Sequence, residues 1–102
     1  MKFQTHNDKN VDCNGTHLQG EIVAKYADLK KKFGKPTVGD AYKCDAEWKI
    51  EFENGVVATI YNWKNGKNYC GKNGIATTKI TDWHIGGNSQ ESVRLVKQAL
   101  QS

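Results

Sequence analysis

The stretch Glu47-Trp48-Lys49-Ile50-Glu51-Phe52-Glu53-Asn54-Gly55-Val56-Val57-Ala58-Thr59-Ile60-Tyr61 decides how this chain folds. Trp48, Ile50 and Phe52 alternate with Lys49, Glu51 and Glu53, the period of two that marks a half-buried strand. Asn54-Gly55 is the dipeptide best suited to a two-residue type I′ turn, and Val56 to Lys64 returns as the partner strand. A two-residue loop sets Phe52 opposite Val57, Ile50 opposite Thr59 and Trp48 opposite Tyr61. One face then carries Trp48, Ile50, Phe52, Val57, Thr59, Tyr61 and Trp63. The other carries Glu47, Lys49, Glu51, Glu53, Val56, Ala58, Ile60 and Asn62. A slip of one residue exchanges the faces, so the assignment rests on the turn.

Upstream, His17 to Val23 reads as a strand with Gly20 as a bulge or a close backbone approach. Tyr26, Leu29 and Phe33 recur at helical spacing, and Gly34 with Pro36 ends that helix. Lys30, Lys31 and Lys32 sit near its C-terminal end, where the helix dipole favours cations, and read as a solvated face. Residues 1–15 are polar and read as a flexible arm ahead of a single domain over 16–102. Downstream, residues 65–74 are rich in glycine and asparagine and read as turns, and Ile75 to Ile85 reads as a strand stopped by Gly86-Gly87. Asn88, with Glu91 three residues on, reads as the N-cap of a closing helix whose apolar stripe is Val93, Val96, Ala99 and Leu100. The expected fold is α+β in the order β-α-β-β-β-α. An antiparallel sheet of about four strands takes two helices on one face, the aromatic side of the hairpin.

Composition agrees with one folded domain: 102 residues, 37% hydrophobic, 25% charged and one proline. No run approaches the roughly 18–20 apolar residues of a bilayer span, and Met1 to Asn10 offers no signal-peptide core. Three cysteines, Cys13, Cys44 and Cys70, are too few for a disulfide scaffold, so a reducing, cytoplasmic location is expected. The net charge is +4, and Arg94 is the only arginine. Arginine supplies the bidentate contacts of base readout, so its scarcity argues against sequence-specific nucleic-acid binding. The charge is also patterned. Residues 21–35 are basic, residues 40–53 acidic, and residues 61–79 contain lysines with no acidic residue.

Several groupings have the residue types for chemistry, and most have a plainer reading. Cys13 and His17 stand four apart, with His6 upstream and His84 distant, but the second ligand pair of a structural zinc site is missing, so no metal is expected. Cys70, with His84 and Asp82 on a later strand, could be drawn as a nucleophile, base and orienter. No local signature surrounds it, and Cys44 and Cys70 read instead as small packed hydrophobes. Glu47, Glu51 and Glu53, relieved by Lys49, read as a solvated acidic strand face rather than a general acid pair. Gly86-Gly87-Asn88-Ser89 offers either an anion site at a helix start or an ordinary turn and cap. The segment Tyr61-Asn62-Trp63-Lys64-Asn65-Gly66-Lys67-Asn68-Tyr69-Cys70-Gly71-Lys72 interleaves aromatics with lysines, a composition suited to stacking or to anchoring an interface.

The string Gly39-Asp40-Ala41-Tyr42-Lys43-Cys44-Asp45-Ala46-Glu47-Trp48, with residues 57–69, Leu18-Gln19-Gly20, Phe33-Gly34-Lys35-Pro36 and Thr81-Asp82-Trp83-His84-Ile85-Gly86-Gly87, resembles small bacteriophage-encoded proteins. That resemblance covers about residues 17–100 and implies a host-takeover or anti-defence role, with no residue role attached. The expectation is a non-enzymatic binding protein in the host cytoplasm that inhibits a host protein such as a CRISPR, restriction or other defence effector. It uses Trp63, Lys64, Lys67, Tyr69 and Lys72, with Glu47, Glu51 and Glu53 as a second, acidic surface. No catalytic residue and no cofactor are expected. The alternative is a nucleotide or single-stranded nucleic-acid binding protein using the same aromatic and lysine segment, and a Cys70/His84 hydrolase ranks below both.

Overall fold

The structure is a computed structural model that describes residues 2–5, 17–37, 46–63, 65–66 and 70–101. It is α+β, a five-stranded antiparallel sheet with two helices. The strands are β1 (Phe3–Thr5), β2 (His17–Val23), β3 (Glu47–Phe52), β4 (Val57–Tyr61) and β5 (Asp82–Gly87), and the helices are α1 (Tyr26–Phe33) and α2 (Glu91–Gln101). Across the sheet the order is β1-β3-β4-β5-β2. The strand beyond the expected four is β1, which pairs with β3 by setting Phe3 opposite Phe52. Phe3–Thr5, read from sequence as part of a flexible arm, is thus a paired strand, and residues 6–15 of that arm lie outside the described residues. Phe3 gives the edge strand its reason to dock, with its ring in edge contact with Phe33 at 5.3 Å and Phe52 at 6.0 Å.

The hairpin is in the other register. Glu51 faces Val57, Ile50 faces Ala58, Trp48 faces Ile60 and Glu47 faces Tyr61. The cause is the turn, whose loop has three residues and not two. Phe52 N–H donates to Val56 O (2.9 Å), Gly55 N–H donates back to Phe52 O (2.9 Å), and Gly55 takes φ +86°. A turn closed by a left-handed residue is the three-residue hairpin with a bulge, and glycine adopts that φ without a Cβ penalty. Asn54 Oδ1 accepts from Val56 N–H (3.2 Å) and stiffens the loop. Counting Glu53 into the loop moves Ala58, Ile60 and Asn62 to the face of Trp48, Ile50 and Phe52. Val57, Thr59 and Tyr61 move to the face of Glu47, Lys49 and Glu51.

The core forms where the helices cover the first of those faces. Leu29 and Phe33 from α1 and Leu95, Val96 and Ala99 from α2 join Trp48, Ile50, Phe52, Ala58, Ile60, Trp83 and Ile85 in one buried cluster. Trp48 and Trp83 meet edge to face at 5.3 Å, and each buried indole satisfies its N–H on a backbone carbonyl. Trp48 donates to Gly34 O (2.7 Å) and Trp83 to Ala24 O (2.9 Å), which ties both ends of α1 to the sheet. Asn62 is fully buried and polar, yet its Oδ1 accepts from Ala46 N–H and its Nδ2 donates to Asn65 Oδ1, both at 3.0 Å.

Downstream the expected strand over Ile75 to Ile85 is shorter. Thr77–Lys79 is a 3₁₀ turn, Ile80 drops into the core, and β5 runs from Asp82 through Gly87. The two glycines therefore end the strand from inside it. At Gly87 a Cβ would stand 2.1 Å from Ser92 Oγ and 2.6 Å from Val57 O, so only glycine lets α2 seat this closely. Ser92 Oγ donates to Val57 O (2.8 Å) at that contact. The buried stripe of α2 is accordingly Ser92, Leu95, Val96 and Ala99, with Val93 and Leu100 at its margins.

Candidate functional site

The face of the sheet turned away from the helices is a grid whose rows follow from the register. One row crosses four strands: Glu47 on β3, Tyr61 on β4, His84 on β5 and Glu21 on β2. The next row is Lys49, Thr59, Gly86 and Leu18, and the third is Gln4, Glu51 and Val57. Strand alternation alone places these side chains, because directly opposed residues of an antiparallel pair share a face. The first row holds the ring systems. Tyr61 meets His84 edge on at 5.6 Å and Trp63 edge on at 6.1 Å. Carboxylates stand at both ends. His84 Nε2 lies 3.2 Å from Glu21 Oε1, and Glu47 Oε1 lies 3.9 Å from Lys49 Nζ.

Exposure separates the members of this face. Trp63 is 40% exposed, a large value for an indole, and Leu18 is 57% exposed. His84 and Tyr61 are half-buried, while Glu21, Glu51 and Asp82 reach solvent. Among the described residues, carboxylates at Glu21, Glu47, Glu51 and Asp82 outnumber the cationic Lys49 on this face, which is acidic around its aromatic row. The helix layer carries the opposite charge, with Lys25, Lys30, Lys31, Lys32, Arg94 and Lys97 against Asp28 and Glu91. The net charge of +4 thus conceals an acidic sheet face and a basic helix face among the described residues.

Of the residues expected to form a site, Trp63, Glu47 and Glu51 come together on or beside this face. The one-residue change of register does this, because it carries Tyr61 and its neighbour Trp63 out of the helix-covered side. The two surfaces read separately from sequence, aromatic and acidic, merge into one. Glu53 is exposed in the hairpin loop, with its N–H donating to Lys2 O (3.0 Å), and is displaced from the row. Lys72 is exposed in the 3₁₀ turn Gly71–Asn73. Lys64, Lys67 and Tyr69 lie outside the described residues, as do His6, Cys13 and Cys44.

His84 and Glu21 belong to the site and were not expected there as a pair. Asp82 and His84 share a strand face, as their spacing of two requires, but the carboxylate on the imidazole is Glu21 from β2. Only the β2–β5 pairing shows this. The alternation of Glu21 with Ile22 was the available signal. Cys70 is exposed, which corrects its reading as a packed hydrophobe. Among the described residues no group of three or more histidine, cysteine or acidic side chains is placed to hold a metal.

The glycine-rich turn before α2 has a structural use. Ser89, one residue after the expected Asn88, caps the helix, with its Oγ accepting from Glu91 N–H (3.1 Å). Asn88 Oδ1 instead accepts from Val57 N–H (3.0 Å), extending the β4–β5 ladder by a side chain. Among the described residues no helix is long and apolar enough to cross a membrane. Compared with known proteins, the chain matches no protein-family model and no curated sequence.

Proposed function

We propose that this protein is a non-enzymatic binding module whose sheet face receives a positively charged segment of a protein partner. The observation that carries the reading is the row Glu47, Tyr61, His84 and Glu21 with Trp63 beside it. A guanidinium or ammonium lying over the Tyr61 and Trp63 rings is attracted by their π-faces, and carboxylates at both ends of the row complete its coordination. Tryptophan and tyrosine are also the side chains that most often dominate interface energies. The acidity of the face favours a protein over a polyanion and sets the nucleic-acid reading second. The resemblance to small bacteriophage proteins supports a host protein as the partner, a defence effector first among them.

The test is capture from bacterial lysate with nuclease present, comparing the native chain with Trp63→Ala and with the double change Glu21→Gln/Glu47→Gln. A protein retained by the native chain should be lost with Trp63→Ala, and should be retained several-fold less with the double glutamine variant. Trp63→Ala should cost only about 1 kcal/mol of stability, the value of one exposed ring contact. A loss above about 3 kcal/mol would place that indole in the core and overturn the reading. Capture that disappears with nuclease, together with tryptophan quenching by oligonucleotides, would replace it with the nucleic-acid reading.

A further inference from the structure

On the other side of the molecule a cleft of about 730 Å³ opens where α1 and α2 meet the end of β2. Its apolar part comes from Ile22, Val23, Ala24 and Leu100, and its rim carries Lys31 and Lys32 from α1 and Lys97 from α2. Among the described residues Asp28 is the one carboxylate in the lining. No aromatic ring lines the cleft among the described residues, so it offers nothing for a base to stack on. Val23, the last residue of β2, is 81% exposed and borders the cleft. Lys31 and Lys97 make no ion pair among the described residues. The lysines reach this rim from segments more than sixty positions apart, so helix packing and not local sequence gathers them.

We infer that this cleft binds an amphipathic anion, an aliphatic tail carrying a carboxylate, sulfate or phosphate head. The volume lies within the roughly 300–1,000 Å³ of small-molecule sites. A tail laid on Ile22, Val23 and Leu100 removes apolar surface from water, and the head meets Lys31 and Lys97, whose methylene stems extend the apolar wall. An aliphatic cation meets the same floor and a repulsive rim, so the head charge discriminates. This site is independent of the sheet face and stands or falls separately from it.

The experiment is methyl-resolved NMR of the full chain titrated with decanoate below its micelle concentration. Saturable shifts are expected at Ile22, Val23 and Leu100, with none at the amides around Tyr61 and Trp63. Lys31→Glu/Lys97→Glu should weaken binding at least tenfold while the melting curve stays intact. Lys97→Gln should weaken it a few-fold. Decyltrimethylammonium and acetate separate the contributions of head and tail, and neither should saturate these methyls. Equal shifts with the cationic amphiphile, equal shifts with acetate, or no shift with decanoate would each overturn the inference. Binding to phosphatidylglycerol vesicles without any response to monomeric decanoate would overturn it in favour of adsorption to a lipid surface.

Discussion

Two aromatic clusters occupy opposite faces of the same sheet. On the helix side, Trp48 and Trp83 are fully buried, with Tyr26 against them at 5.8 and 6.5 Å, and both indole N–H groups end on backbone carbonyls. On the far side, Tyr61 meets Trp63 and His84 in T-shaped contacts, but Trp63 keeps 40% of its surface exposed and carboxylates stand at both ends of the row. The residue types are nearly the same, and what differs is what covers them. The first cluster is closed by α1 and holds the fold together. The second is bordered by charge and presents rings at a surface, which is why the proposed contact is placed there.

That contrast is open to mutation, and the expected effects fall in order. Trp83→Ala removes the ring against which both Trp48 and Tyr26 pack and should cost about 3–5 kcal/mol in denaturant unfolding. A cost near that of Trp63→Ala would erase the distinction between the clusters. Asn62→Leu tests the polar residue of the covered face. It strands the Ala46 N–H in the core, and a loss of about 2 kcal/mol is expected, whereas a neutral result would mean the buried amide does not need Asn62.

Gly55→Ala probes the turn that sorts residues between the faces. A Cβ there has open space, so the cost of about 1 kcal/mol is backbone strain alone, and amide exchange in β3 and β4 should show the same register. Glu21→Gln weakens the contact to His84 on a side chain that is 70% exposed, so the stability change should stay below about 0.5 kcal/mol. A larger loss would mean that the far face also supports the fold.

Much of the architecture was legible locally. Tyr26 to Phe33 formed the expected helix with Gly34 closing it, and the strand His17 to Val23 carries its irregularity between Leu18 and Gly20, beside the expected bulge. The alternation of Trp48, Ile50 and Phe52 pointed to the covered face correctly. The failure was one residue in a loop. Asn54-Gly55 suits a two-residue turn and equally suits the end of a three-residue one, and nothing local distinguishes them. The error reached every side chain of β4, because strand alternation has a period of two and transmits a slip without attenuation. The edge strand Phe3–Thr5 was illegible for a related reason, since three residues carry no periodicity and dock through a distant ring contact.

By itself the sequence determined the class of fold, the extent of α1, the existence of the hairpin and the segregation of charge into basic and acidic segments. Those properties are set by near neighbours, through helical spacing, strand alternation and capping. Only the tertiary structure decided which face of β4 meets the helices, that Glu21 answers His84, and that Lys31 and Lys97 share one rim. Each of those depends on contacts between segments far apart in the chain. Their geometry is fixed by how a turn closes and how a helix seats against Gly87, and no local pattern encodes either.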